Sequence, residues 1–369
     1  MHGPVNILAI ESSCDEFACA IVRDGREILA SVVASQTSLH ARHGGVVPEL
    51  AGREHLRSVT PVLDETFRQA ALGWEAIDAI AATQGPGLGG SLLVGINAAK
   101  AAAWARQLPC IAVHHIEGHL YANWLDSPIL GDGARAEEGQ SEITPPEFPL
   151  ICLVVSGGHT ELLLMRGHGD FQRLGQTLDD AAGEAFDKVG RLLGLPFPGG
   201  PAIEAAARTW TTPIAATQTG AGAGPDPLPR AWLKGSYDFS FSGLKTAVLH
   251  RVRAKGSDLE ASEVAALAHA FQESVIDVLA AKTAMAATEF GVGAIIVAGG
   301  VAANRALRDA LRDRCPVPVH VPPAALCTDN AAMIGGAAFF KAEQTQTKAP
   351  LDWDLFSASG TAIFSAGAR

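Results

Sequence analysis

The sequence lacks several features, and each absence excludes a class of protein. No continuous apolar run approaches the roughly 20 residues that a membrane span needs. The first four residues lead straight into a strand-like run, without the basic and apolar regions of a signal peptide. The six cysteines form no Cys-x-x-Cys pair, so we expect reduced core thiols rather than disulfides. Together these absences predict a cytoplasmic protein without a membrane association.

The chain also lacks an excess of positive charge, since its formal net charge is −11. Gripping a nucleic-acid backbone requires clustered Lys and Arg side chains that displace counterions. A nucleic-acid substrate would therefore need a local basic patch or a partner protein. The 369 residues, with 48% hydrophobic residues and 39 glycines, suit two packed α/β domains rich in turns.

The order of the expected elements is the same in the two halves of the chain. Residues 5–10 and 17–22 read as strands around a turn, and residues 150–155 and 161–165 repeat that pattern. In each half a later strand ends in glycines and opens a helix, at Gly85 in the first and at Gly299 in the second. Matching order predicts two related domains that face one cleft.

The domain boundaries follow from changes in composition. We predict a first domain at 1–126, joined by a C-terminal helix at about 330–345, and a second domain at 150–328. Residues 127–149 combine glycines, prolines and acidic residues without apolar periodicity, which is typical of a linker or an insertion. A surface loop is expected at 209–229 and an irregular tail at 346–369. Apolar spacing predicts helices at about 48–72 and 180–193, the latter stopped by Gly194.

Two histidines four residues apart, His115 and His119, are the most specific chemical signal. On a helix they share one face, so both imidazoles can reach one metal ion. A zinc protease of the His-Glu-x-x-His type needs its Glu beside the first His, where it acts on metal-bound water. Here Glu117 sits about 200° around the helix from His115, which argues against a metalloprotease. A lone histidine pair is more often a pair of ordinary core or surface residues.

Glycine-rich turns indicate a nucleotide site. In the turn at 156–158, small residues expose backbone N–H groups and let a phosphate approach closely. Gly299 and Gly300, between a buried strand and a helix, permit close approach of an adenosine, and Asn304 could hydrogen-bond a ribose hydroxyl. Each turn alone is also compatible with a tight β-turn, and Asn304 with a simple helix N-cap.

The order of the motifs resembles one known family, the tRNA N6-adenosine threonylcarbamoyltransferases of the bacterial type once labelled O-sialoglycoprotein endopeptidases. The similarity spans about residues 5–340. The motifs that carry it lie at 11–16, 44–49, 85–88, 114–119, 155–160, 179–188, 198–201, 239–245, 298–304 and 327–330.

The resemblance implies a two-domain actin-like ATPase fold built from duplicated ribonuclease H-like units. It also implies transfer of a threonylcarbamoyl group from threonylcarbamoyl-AMP to N6 of adenosine 37 in tRNAs reading codons that start with A. One Fe²⁺ or Zn²⁺ ion and an adenine nucleotide, the adenylate or ATP, would be bound. The implied partners are tRNA, a shorter paralogous actin-like protein and a small P-loop ATPase.

Carried over residue by residue, the resemblance also implies the functional side chains. The metal ligands fall on His115, His119 and Asp329, a two-His, one-carboxylate set that leaves positions open for substrate oxygen. The adenylate contacts fall on Val154, Val155, Ser156, Gly157, Gly158, Asp187, Gly200 and Asn304. Asp187 could equally be a solvent-facing charge on its helix.

Asp15, on the first turn, is our candidate for orienting or deprotonating the attacking amine. A turn carboxylate that satisfies its own backbone explains Asp15 nearly as well.

Two other functions stay open on the same fold. A small-molecule kinase would activate a hydroxyl with a carboxylate and would not need the histidine pair. A non-catalytic scaffold would bind nucleotide and regulate partners without transferring any group.

Overall fold

The computed structural model describes residues 3–126, 145–210, 227–255, 259–345, 351–356 and 365–366. The chain divides into two compact units. The first comprises residues 1–147, 165–171 and 322–365, and the second comprises residues 148–164, 172–321 and 366–369. Most of the expected insertion at 127–149 and of the expected loop at 209–229 lies outside the described residues.

The first sheet has five strands in the order β3-β2-β1-β4-β5. Strand β1 pairs antiparallel with β2 and parallel with β4, and β4 continues parallel to β5. All six residues of β1 are buried, because helices or strands cover both faces of this central strand. The strand bounds are β1 Asn6–Glu11, β2 Glu16–Arg23, β3 Glu27–Ser35, β4 Ala79–Gly85 and β5 Cys110–His114.

The second sheet repeats this topology. Its order is β10-β9-β6-β7-β8-β11, so that β6 to β10 take the places of β1 to β5. Strand β6 lies parallel to β9, and β9 lies parallel to β10, as β1, β4 and β5 do in the first sheet. The strand bounds are β6 Leu150–Val155, β7 Thr160–Gly167, β8 Asp170–Gln176, β9 Ala294–Ala298, β10 Val319–His320 and β11 Ser365–Ala366.

The helices agree with the sequence pattern where that pattern was strong. The helix expected at 48–72 runs Pro48–Ala70 and begins with a proline, whose missing N–H costs nothing in the first turn. In chain order the helices are α1 Thr37–Ala41, α2 Pro48–Ala70, α3 Gly89–Arg106, α4 His115–Tyr121, α5 Ala182–Leu192, α6 Gly199–Thr209, α7 Ser242–Lys255, α8 Ala261–Phe290, α9 Arg305–Arg314, α10 Ala324–Cys327 and α11 Ala331–Thr345.

Helix α8 is the long core helix of the second unit. A capping box between Glu260 and Glu263 starts it, and Gly291 in the left-handed conformation (φ 59°) ends it. By length and apolar composition α8 is the one helix in the described ranges that could cross a membrane. However, 67% of its apolar window is buried inside the protein, as in a helix that packs in a core.

Residues 165–171 group with the first unit, although the sequence-based boundaries placed them in the second domain. The reason is an aromatic stack. The His168 ring lies 4.0 Å from the Phe340 ring and 5.5 Å from the Tyr121 ring, measured between centroids. Tyr121 also shares a 3.1 Å hydrogen bond between its hydroxyl and Nδ1 of His168. Such contacts between distant segments leave no trace in local periodicity.

Part of the expected irregular tail packs on the first unit. The backbone N–H of Phe356 donates to the carbonyl of Gln84 (3.2 Å), and the Gln84 amide donates to the carbonyl of Asp354 (2.6 Å). The Lys100 ammonium donates to the carbonyl of Trp353 and lies 4.5 Å from its ring centroid. The Phe356 ring lies 5.3 Å from the ring of His114, next to the histidine pair.

Candidate metal centre and glycine cradle

Helix α4 brings His115 and His119 together. The helix starts where β5 ends, and Nδ1 of His114 accepts the backbone N–H of Ile116 as an N-cap. One turn separates the two histidines, and their ring centroids lie 4.6 Å apart. Both rings are buried, so their ring nitrogens need polar partners.

Asp329, from the other end of the chain, completes the group. Its Oδ1 lies 3.2 Å from Nε2 of His119 and 3.7 Å from Nε2 of His115. One ligand atom from each residue falls within 4.8 Å of the others. Asp329 lies two residues before α11, which packs against α4, and this packing fixes the carboxylate beside the rings.

The environment of His119 fits a cation. Its side chain is 1% exposed, and neither ring nitrogen has a hydrogen-bond partner among the described residues. The short distance to Asp329 is therefore an approach without hydrogen-bond alignment. A buried imidazole left in this state is costly, whereas a metal ion at the convergence of two imidazoles and a carboxylate would satisfy it.

The Glu11 carboxylate contacts Nδ1 of His115, the ring nitrogen that is not directed at Asp329. The sequence did not predict this contact. The Glu11 carboxylate is fully buried at the end of β1, and its Oε2 lies 3.2 Å from Nδ1 of His115. It also accepts the backbone N–H of Ser13 (2.5 Å) and the hydroxyl of Thr83 (2.5 Å). A carboxylate on the far nitrogen of a ligating histidine fixes its tautomer and ring orientation.

The charges in this cluster perturb one another. Burial opposes charge on His115, but the carboxylates of Asp329 and Glu11 raise its pKa to about 9. Burial likewise opposes charge on Glu11, yet His115 beside it holds the pKa of Glu11 below its ordinary value. Burial and the nearby Asp15 and Asp329 carboxylates raise the pKa of Glu16 to about 8. The cluster holds excess negative charge, which favours binding of a cation.

A buried chain of polar side chains supports the turn that carries Asp15. The Val47 N–H donates to Nδ1 of His40 (3.2 Å), so Nε2 of His40 carries the proton and donates to Gln36 Oε1 (3.2 Å). The Gln36 amide donates to Nδ1 of His55 (2.8 Å), and Nε2 of His55 donates to the carbonyl of Cys14 (3.1 Å). Each bond direction is fixed by its neighbour, so each histidine donates through one ring nitrogen and accepts through the other.

Gln36 is the hub of this arrangement. Its backbone N–H donates to the carbonyl of Asp15 (3.2 Å), and its side chain joins the two histidines. The chain therefore ties the turn at 13–16, the loop at 44–47 and helix α2 around one buried amide. The motif at 44–49 carries part of the family resemblance, but the sequence alone indicated no role for Gln36, His40 or His55.

In the second unit, glycines surround the turn at 156–158. We call this group the glycine cradle, and it comprises Gly157, Gly158, Gly183, Gly200, Gly299 and Gly300. A Cβ on Gly157, Gly158, Gly200 or Gly300 would meet no atom within 4 Å, so these backbones face open space. Gly183 and Gly299 lie against the turn instead. A Cβ on Gly183 would approach the Ser156 carbonyl oxygen to 2.6 Å, and one on Gly299 would approach the Val155 carbonyl oxygen to 2.5 Å. Strand β6, helix α5 and the segment that follows β9 therefore converge on one turn.

The remaining expected adenylate residues lie around this turn in different roles. Val154 and Val155 are fully buried at the end of β6 and can offer only backbone atoms. Asp187 Oδ1 accepts the N–H of Gly199 (2.7 Å), next to Gly200, and burial raises the Asp187 pKa. Asn304 is the N-cap of α9 through Leu307 N–H, and its amide donates to Gln272. Among the residues that the structure describes, one amide hydrogen of Asn304 has no partner and can serve a ligand.

Glu117 takes no part in the His–His–Asp group. It is buried on α4, and burial raises its pKa while the Lys341 ammonium partly opposes that shift. A carboxylate outside the group of three ligands agrees with the argument against a protease base. The six cysteines are all free thiols, as expected.

The repeated sheet topology and the His–His–Asp group define a duplicated α/β protein of the actin-like ATPase type with a candidate metal centre. Two solved structures share the fold. The phosphate- and nucleotide-bound full-length HypF is 13% identical, with a TM-score of 0.55 over 94% of this chain and 47% of that chain. HypF from T. kodakarensis is 14% identical, with a TM-score of 0.57 over 92% and 49%. The expected fold is confirmed.

Relatives of known name identify the family. Residues 27–336 match the TsaD family, tRNA N6-adenosine threonylcarbamoyltransferase. Proteins of that name from Thermomicrobium roseum and Bacillus subtilis are 55% and 51% identical, over 95% and 90% of this chain and 95% and 89% of theirs. The chain belongs to the tRNA N6-adenosine threonylcarbamoyltransferase family.

Proposed function

We propose that this protein transfers the threonylcarbamoyl group of threonylcarbamoyl-AMP to N6 of adenosine 37 in tRNAs that read codons starting with A. The observation that carries the proposal is the buried group of His115, His119 and Asp329 in a chain of this family. Neither a kinase nor a passive scaffold requires such a group. The reaction forms an N6–carbon bond and breaks the bond from the carbamoyl carbon to the AMP phosphate oxygen.

His115, His119 and Asp329 would hold one Fe²⁺ or Zn²⁺ ion, with Glu11 orienting His115. Once bound, the ion would supply Lewis-acid polarisation of the threonylcarbamoyl group. The donor set of two imidazoles and one carboxylate suits either metal, because both accept nitrogen and oxygen ligands.

In the second unit, the backbone N–H groups of the turn at 156–158 would bind the adenylate phosphate. Open space at Gly157 and Gly158 lets the phosphate approach the backbone. Asp187 and the unused amide hydrogen of Asn304 would hydrogen-bond the ribose hydroxyls. Holding AMP in this way stabilises the charge that develops on the leaving phosphate.

Asp15 would accept the proton that the N6 amine loses as its bond to the carbamoyl carbon forms. Its backbone is fixed by Gln36, which places the carboxylate in a defined turn. A base positioned in this way contributes about 10²- to 10⁴-fold in rate. Asp15→Asn should therefore lower kcat while leaving bound metal and adenylate affinity unchanged.

Nucleoside analysis tests the function directly. The purified protein is incubated with threonylcarbamoyl-AMP and unmodified tRNA, together with its proposed partners, the shorter paralogous actin-like protein and the small P-loop ATPase. Digested tRNA is then analysed by mass spectrometry for N6-threonylcarbamoyladenosine. Absence of the modified nucleoside in metal-replete reactions would overturn the proposal.

We infer a cytoplasmic site of action, since tRNA is modified there and all six cysteines are free thiols.

A double substitution separates the metal from the fold. His115→Ala with His119→Ala should abolish metal binding and transfer together, because two of three ligands are lost. His43→Ala, an exposed histidine in the first unit outside the ligand group, is the control and should keep both. Metal content is measured by elemental analysis of the dialysed protein. Full transfer by a metal-free double variant would refute the role of the site.

A further inference from the structure

Helix α7 is the most basic element of an acidic chain. Residues 242–255 include four Lys or Arg residues and no Asp or Glu, whereas the whole chain has a formal net charge of −11. Other described helices with several cations, such as α2 and α9, also carry acidic residues that offset them. Unopposed positive charge on one helix is the electrostatic feature that binds a nucleic-acid backbone.

Two of the four cations, Lys245 and Arg253, lie on the outward side of the helix. Leu244 and Val248 are buried and define the inner face, while His250 and Arg253 are exposed and Lys245 is half-buried. At about 100° per residue, Lys245, Arg253 and His250 fall within an arc of about 140° that excludes the buried pair. Within the described ranges, neither Lys245 nor Arg253 forms an ion pair, so both charges are available to a ligand.

Helix α7 begins beside the glycine cradle of the same unit. Asp179 accepts the backbone N–H groups of Phe241 (2.8 Å) and Ser242 (3.2 Å) and the hydroxyl of Ser242 (2.6 Å), which fixes the start of α7. Three residues after Asp179, α5 begins, and Gly183 on α5 donates to the carbonyl of Ser156 (3.0 Å). The basic helix and the turn that would bind the adenylate phosphate are thus joined through one short segment.

We propose that the outward face of α7, with Lys245, His250 and Arg253, is a track for the phosphate backbone of the RNA substrate. The helix is about 20 Å long, enough to contact about three successive phosphates. An acidic protein that must present an adenosine near the cradle needs local positive charge there, and α7 supplies it. The proposal rests on the proposed transfer to tRNA and adds the surface through which that substrate is held.

The test measures RNA affinity of the full chain, assembled with its partners, as a function of salt. Lys245→Gln with Arg253→Gln removes two charges from α7. Arg305→Gln with Arg312→Gln is the matched control, because it removes two charges from α9 in the same unit, each lying 3.9 Å from Asp309. Unmodified tRNA is titrated at several salt concentrations, and KM for tRNA is measured in the transfer assay.

The α7 variant should reduce the slope of log K against log salt by about two and weaken tRNA binding about tenfold or more at physiological salt. KM for tRNA should rise by a similar factor, while threonylcarbamoyl-AMP affinity stays at the wild-type value. Lys245→Arg with Arg253→Lys should restore the wild-type slope. The α9 control should bind tRNA as the wild type does.

Three outcomes would overturn the inference: an unchanged slope in the α7 variant, an equal loss in the α9 control, or a lack of tRNA binding by the wild-type assembly. Failure of the proposed function looks different. In that case the wild type binds tRNA with a slope that depends on α7, yet forms no modified nucleoside. Modification without any contribution from α7 would instead reject the track and keep the function.

Discussion

The first turns of the two sheets occupy equivalent places and have opposite chemistry. The turn after β1 is built from buried side chains, with Glu11 accepting three hydrogen bonds and supporting the His–His–Asp group. The turn after β6 instead contains glycines, and Gly157 and Gly158 face open space. The same duplicated scaffold thus provides a candidate cation site where the turn carries buried carboxylates. It provides a candidate phosphate site where the turn carries glycines.

The largest expected effect is at the carboxylate turn. Glu11→Gln replaces an acceptor of three hydrogen bonds with an amide that must turn a donor toward Ser13, Thr83 or His115. Metal affinity should fall about 10- to 100-fold, because a carboxylate behind a ligating histidine contributes by that amount. Metal titration of dialysed protein measures it, with Glu65→Gln at the surface as the control. Equal affinities in both variants would show that Glu11 does not support the site.

At the glycine turn, two substitutions of the same size should separate fold from function. Gly183→Ala places a Cβ 2.6 Å from the Ser156 carbonyl oxygen and should cost about 1–3 kcal/mol of unfolding free energy. Gly158→Ala meets no atom and should change stability by less than about 0.5 kcal/mol. Its methyl group should instead lower adenylate affinity about tenfold, by obstructing the phosphate. Urea unfolding and calorimetric titration measure the two effects. Normal adenylate binding by Gly158→Ala would place the phosphate elsewhere.

The polar chain behind the first turn has no counterpart among the cradle residues described above, and breaking it tests its contribution. Gln36→Leu leaves buried nitrogens of His40 and His55 without partners and should destabilise the protein by about 2–4 kcal/mol. The turn that carries Asp15 should also lose its support, so transfer should slow while metal content is retained. Gln69→Leu, whose amide bonds only the exposed Glu65, is the control for urea unfolding. If both leucine variants are equally stable, the chain does not hold the turn.

The smallest expected effect is a pH dependence from the same chain. Burial and the nearby His40 lower the pKa of His55 below 6.5, against the opposing effects of the Cys14 carbonyl, Glu11 and Asp15. The unfolded chain therefore binds the proton more readily, so this stabilisation is complete above pH 6.5 and is lost as the pH falls toward the lowered value. His55→Asn should show a flatter fall of Tm between about pH 7 and pH 5 than the wild type. Parallel Tm curves would contradict this assignment.

Strong local periodicity made much of the fold predictable. The strand–turn–strand pairs, helix α2 and the start of α9 at Asn304 occur where apolar spacing and glycines placed them. Helices α7 and α8 were not predicted. Helix α8 is buried around most of its circumference, so it has no polar stripe to reveal a helical period. Residues 165–171 group with the first unit through an aromatic stack that composition does not reveal.

The sequence by itself determined the spacing of His115 and His119 and the glycines of the cradle, since both depend on residues close in the chain. Only the tertiary structure decided that Glu11 backs His115, that Gln36 joins two buried histidines, and that the basic helix α7 starts beside the cradle. Apart from the bond between Gln36 and His40, which are four residues apart, these contacts span 19 to 104 residues of sequence. Their partners are chosen by the packing of whole elements, and no local pattern encodes them.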